Sequence, residues 1–137
     1  MADIVLDFTY EQSIDEVWQA ISTAEILEEW MMPNNFKAES GYAFEFKGEA
    51  NDYWDGIIRG EVLEVDAPNK LAYSWESAGE TTRIIWTLTA NSAEQTNLHF
   101  EMDGFSEEIK QYPGAIKGAI SSWSAFGHKL KKVLVKN

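Results

Sequence analysis

The sequence predicts an α+β fold in which an antiparallel sheet is covered on one face by a single long C-terminal helix. Three observations predict it. Between residues 41 and 102 apolar side chains recur at every second position, in short runs broken by turn residues. Beyond residue 115 the apolar spacing changes to steps of three and four. Ahead of both, one alternating strand leads into two short helices.

The elements follow in order. Ile4, Leu6 and Phe8 alternate with polar residues and mark the first strand. Ser13 stands at an N-cap with Glu16 three residues on, a capping box that starts a helix. Residues 25–30 supply about two further helical turns, stopped before Pro33. In residues 41–47, Tyr42, Phe44 and Phe46 share one face, and a loop covers 48–56. In the strand 57–65, Ile58, Gly60 and Val62 share one face while Leu63 and Val65 share the other, which predicts a bend or bulge. Residues 66–70 are a turn by composition. Leu71, Tyr73 and Trp75 alternate next; then come a turn at 77–80, a strand with Ile84, Trp86 and Leu88 inward, a turn at 91–95, and a strand with Leu98, Phe100 and Met102 inward. Such a sheet must cover its apolar face. The stripe Ile116, Ile120, Trp123, Phe126, Leu130 and Leu134 is the large candidate. Gly127 within it costs about 1 kcal/mol relative to Ala yet permits close approach. Gly114 and Gly118 leave the first turns of this helix weakly defined.

With 137 residues the chain is expected to be one domain, 1–137. Apolar residues make up 45% of it and it holds six Trp, ample for a core; there is no Cys, hence no disulfide and no thiolate chemistry. The start lacks a signal-peptide pattern and no apolar run approaches a membrane span, so a cytoplasmic location without membrane insertion is expected. The net charge of −12 is uneven: residues 1–105 carry 21 acids against five bases, residues 106–137 two acids against six Lys. An acidic body argues against nucleic acid as a partner. Lys129, Lys131, Lys132 and Lys136 either complement the helix macrodipole or offer a patch to an acidic partner.

Four segments together resemble a known family. Val17-Trp18-Gln19-Ala20-Ile21 is similar to its VW-x-A-[LI] helix, and Trp30-Met31-Met32-Pro33 to its WW-x-P turn, with Met at the second Trp. Residues 60–71, from Gly60 through Val62, Glu64, Pro68 and Lys70 to Leu71, are similar to its G-x-V-x-E-[IV]-x-P-P-x-[KR]-L strand and turn. Thr96 to Phe100, Gly104-Phe105 and Trp123 to Leu134 are similar to its ending. On these residues the chain resembles the START-like (SRPBCC) superfamily, in the branch named after the activator of the heat-shock protein 90 ATPase. Ser122 and Gly127 depart from the pattern, at positions usually Gly and apolar. The resemblance implies a helix-grip fold: a curved sheet wrapped around the C-terminal helix, with a cavity between.

The candidate ligand-binding set is Phe44, Phe46, Tyr73, Trp75, Trp86, Phe100 and Trp123, with Trp30 and Trp54 at the entrance. Its residues either fill the core or line a cavity for a small apolar or aromatic ligand. Buried Trp and Tyr need partners for their polar ends, which a ligand could supply. Met31 and Met32 add an adaptable rim, so that the turn 30–36 and the loop 48–56 would gate one end. His99 alternates outward and His128 lies off the helical stripe. Glu45, Glu64, Glu76 and Glu101 also fall on outward positions, so no acid or base is expected inside. The acidic loop lacks the ligand spacing of a calcium site. No cofactor and no metal are expected. Binding leads; a chaperone-regulating or other protein-interaction module is the alternative, and an enzyme acting only by shaping its substrate the second. Monomer and dimer both remain open, since Trp54 and Met31 would equally suit an interface.

Overall fold

The computed structural model describes residues 2–52 and 54–136; Tyr53 of the loop and the side chains of Pro113 and Lys136 lie outside the description. Strand β1 (Ile4–Tyr10) leads into α1 (Ile14–Ser22) and α2 (Ala24–Trp30). The capping box closes at α1: the Ser13 hydroxyl accepts from the Glu16 N–H at 3.2 Å while the Glu16 carboxylate accepts from the Ser13 N–H. Strands β2 (Ala43–Lys47), β3 (Ile57–Asp66), β4 (Lys70–Ser77), β5 (Glu80–Ser92) and β6 (Gln95–Asp103) form a meander. β1 returns to pair with β6, giving one antiparallel sheet in the order β1-β6-β5-β4-β3-β2. The bulge expected in β3 lies between Val62 and Glu64. There the register slips, so that Val62, opposite Tyr73, and Val65, opposite Leu71, both face the core although three residues apart. The β4–β5 turn is two residues long, Ala78 and Gly79, both at positive φ, which matches the twist of a tight hairpin.

After β6 a short helix α3 (Glu107–Lys110), absent from the sequence reading, precedes α4 (Pro113–Lys136). Ser106 caps α3 by accepting from the Ile109 N–H. α4 packs against β1, α1, α2 and α3. Its two halves differ. No residue from Gly114 to Ser122 is buried, whereas Trp123, Gly127, Leu130, Val133 and Leu134 are. The C-terminal half is pinned at Gly127: the Tyr10 hydroxyl donates to the Gly127 carbonyl at 2.9 Å, and a Cβ on Gly127 would collide with the Phe8 ring. The expected apolar stripe therefore needs correcting. Ile120 is exposed, because the inward face of the first half runs through Ala115 and Ala119, one position away; Val133 is buried in its place further along. Among the described residues no helix is long and apolar enough to cross a membrane.

The core is sealed by close packing at Gly60 on β3, directly opposite Phe44 on β2. A Cβ there would strike the Phe44 ring and the Ser74 carbonyl oxygen of the neighbouring strand, which cannot swing aside. By contrast, a Cβ on Gly118 of α4 meets nothing within 4 Å. On the outer face His99 of β6 is bonded on both ring nitrogens, Nδ1 to Asp7 at 2.8 Å and Nε2 to Glu101 at 3.2 Å. The bond to Asp7, with the charge of both carboxylates, raises the His99 pKa above its ordinary value, and the same bond lowers that of Asp7.

Two predictions follow from these contacts. Gly60→Ala should lower the unfolding free energy by about 3 kcal/mol through overpacking, while Gly118→Ala should raise it by up to about 1 kcal/mol through helix propensity. Urea denaturation of both variants checks this; equal effects would refute the packing difference. For His99 the raised pKa means that the folded state binds the proton more tightly. The stability it contributes is complete below the unfolded value and lost as pH rises through the folded one. Low-salt denaturation from about pH 6 to about pH 9 should show this loss in the native protein, and His99→Gln should flatten the profile.

Candidate functional site

Between the N-terminal half of α4 and the β4–β5 end of the sheet lies a cleft of about 460 Å³, open to solvent on one side. It exists because the inward positions of α4 are small there. Ala115, Ala119 and Ser122 follow steps of four and three along one helix face, and only then do Trp123 and Phe126 close the space. The sheet supplies the opposite wall through Ile58, Trp75, Thr82 and Met102, successive strands each offering an inward position. Phe105 and Ile109, from the segment joining β6 to α4, form one edge.

The far edge is built by the loop 48–56. Its ends are tied by the Gly48 N–H donating to the Gly56 carbonyl at 2.7 Å. Gly56 takes φ 82°, a backbone state that favours glycine. The Trp54 ring lies over Gly48 beside the Met32 sulfur, and its indole N–H donates to the Ile57 carbonyl at 3.3 Å. Trp54 and Met32 thus stand at the cleft, where the gate was expected. Met31 does not: it is buried.

Of the expected aromatic set, Trp54, Trp75 and Trp123 line the cleft. Phe44, Phe46, Tyr73, Trp86 and Phe100 sit behind them in the packed core. Phe44 meets Phe36 edge-on at 5.1 Å and Tyr73 at 5.3 Å between centroids, and Phe100 lies 4.7 Å from Trp123. The Trp86 indole N–H donates to the Tyr73 hydroxyl at 2.7 Å, and burial pushes the Tyr73 phenol pKa well up. Trp30 is not at the entrance. It is fully buried, donates to the Ala20 carbonyl at 2.9 Å, and packs edge-on against Trp86 and Phe126. The polar ends of these rings therefore find partners within the protein. Among the described residues no buried side-chain polar atom lacks one.

The expectation of an uncharged interior is also corrected. The inward face of β5 continues from Leu88, Trp86 and Ile84 through Thr82 to Glu80, which lines the cleft beside Ser77. The register pairs Trp75 with Thr82 and Ser77 with Glu80. Both carboxylate oxygens of Glu80 are held by Ser106: Oε1 accepts from its N–H and Oε2 from its hydroxyl, each at 2.9 Å. The Thr82 hydroxyl donates to the Trp75 carbonyl at 3.1 Å. Treating residues 77–80 as a turn hid Glu80, although the period-2 pattern carried back from Leu88 reaches it. Ala115 and Ala119 carry little apolar signal beside Ile116, which packs against the core as expected, and Ile120, which is exposed. Neither His99 nor His128 reaches the cleft, and among the described residues no cluster of three His, Cys, Asp or Glu could hold a metal ion.

The fold has known counterparts. The sequence profile of a family described as "Activator of Hsp90 ATPase homolog 1-like protein" matches residues 11–135. Among solved structures, protein MLL2253 from Mesorhizobium loti is 27% identical, with a TM-score of 0.84 over 98% of this chain and 97% of that one. PFC0360w, an HSP90 activator from Plasmodium falciparum, is 15% identical, with a TM-score of 0.79 over 98% and 96%. CalU16 from Micromonospora echinospora is 19% identical, with a TM-score of 0.77 over 95% of this chain and 74% of that one. At those identities the last two share the fold alone. No curated protein matches the sequence.

Proposed function

This chain belongs to the Activator of Hsp90 ATPase homolog 1-like family, and from that premise we propose that it is a binding protein for a small, mostly apolar or aromatic ligand. The ligand is held without covalent chemistry in the cleft under the first half of α4. One observation carries the reading: the inward helix positions Ala115 and Ala119 leave open a space that three indoles, Trp54, Trp75 and Trp123, surround. A volume of about 460 Å³ falls within the usual span of small-molecule sites, roughly 300–1,000 Å³. The core behind it is closed and internally bonded, and it holds Trp75 and Trp123 in place as walls of the cleft.

A second reading has its own support. At the other end of α4, His128, Lys131, Lys132 and Val135 border a shallow groove of about 440 Å³. It forms a cationic surface on a chain of net charge −12, suited to an acidic protein partner such as a chaperone segment. The two readings place function at opposite ends of one helix and respond to different substitutions.

Native mass spectrometry of the protein purified from its own cells tests the first. The wild-type protein should carry a discrete extra mass that leaves on denaturation. Ala119→Phe, which fills the cleft from the helix side, should be folded by circular dichroism and lack that mass. Reversing the charges of Lys131 and Lys132 should leave it in place. A clean ligand-free mass in the wild-type protein, with loss of a salt-sensitive protein partner on charge reversal, would overturn the binding reading in favour of the second.

A further inference from the structure

We propose that the ligand of this cleft is an apolar amine, its ammonium group set against the Glu80 carboxylate and its hydrocarbon body against Trp54, Trp75 and Trp123. The inference rests on the binding reading and deepens it. Among the described residues, Glu80 is the only ionisable side chain lining the cleft. It belongs to the inward face of β5 and stands half-buried at the mouth of the cleft. Ser106 fixes the carboxylate through both oxygens. Each carboxylate oxygen has two acceptor directions, so each keeps one for an incoming donor.

The surroundings select a cation. Among the described residues no Lys, Arg or His lines the cleft, so a carboxylate or phosphate group on a ligand would face Glu80 without a counter-charge there. The overall charge of −12 biases the field the same way. Indole rings attract ammonium groups as well as covering hydrocarbon. The walls fit an amphipathic molecule: Met102 and the indoles offer apolar surface, and Ser77 and Glu80, paired at the hairpin end, offer polar groups. A neutral hydrocarbon would leave the Glu80 oxygens facing an apolar group, at a cost to binding.

Calorimetric titration with three probes of one shape tests the inference: naphthylmethylamine, naphthylmethanol and naphthoate. The wild-type protein should bind the amine about tenfold more tightly than the alcohol, with naphthoate weakest. Glu80→Gln keeps an acceptor for Ser106 and removes the charge; it should bring amine and alcohol within about twofold of each other. Equal binding of amine and alcohol by the wild-type protein would overturn the amine assignment while leaving the binding reading standing. An amine preference unchanged in Glu80→Gln would overturn the role of Glu80. Failure of all three probes to bind would overturn both readings at once. The wild-type comparison decides the question even if the variant does not fold.

Discussion

The seating of α4 on β1 at Gly127 governs the rest of the molecule. The missing side chain lets the Phe8 ring press against the helix backbone, and the Tyr10 hydroxyl fixes the same residue by its carbonyl. Glycine at a helix interior costs about 1 kcal/mol in propensity, but any Cβ here would meet the ring. From this point the C-terminal half of the helix is drawn into the core through Leu130, Val133 and Leu134. A helix is a stiff rod rising about 1.5 Å per residue, so Ala115 lies roughly 18 Å back along the axis from the pin. What fills the space beneath that first half is then decided by side-chain size alone. Ala115, Ala119 and Ser122 do not fill it, and the cleft results.

The inner face of the sheet is graded to match. Behind the cleft, Phe44 packs edge-on against Tyr73 and Trp86 tilts against Phe100, and the buried polar pair of Tyr73 with Trp86 satisfies itself. Towards the β4–β5 hairpin the same strands turn polar through Thr82, Ser77 and Glu80. Buried polar groups without partners are costly, so each polar inward residue needs a protein group, water or a ligand to bond. The gradient coincides with the open end of the cleft. Stability and recognition are divided along the length of one strand, with the closed core supporting the walls of the site.

Most of the architecture was legible in the sequence. Period-2 runs marked the strands, the Ser13–Glu16 box marked α1, and the switch to steps of three and four marked α4, because these patterns report burial directly. The site was legible only in part, and for physical reasons. A core aromatic and a cleft aromatic occupy the same kind of position in the pattern; Phe46 and Trp75 differ only in what lies above them. Trp30 looked like a rim residue because it precedes a turn, yet its indole N–H found a carbonyl in α1 and the ring went inside. Cavities come from what is small, and Ala115 and Ala119 carry little signal beside Ile116 and Ile120. Glu80 was read as part of a turn because Ala78 and Gly79 make one, although the strand begins at Glu80 itself.

The most direct measurement of the central claim is an amide-resolved NMR titration with naphthylmethanol. The account predicts saturable shifts confined to Trp54, Trp75, Thr82, Ala115, Ala119 and Trp123, with Phe44, Phe46 and residues 130–134 unmoved. Shifts centred on Lys131 and Lys132, or spread evenly through the core, would contradict it.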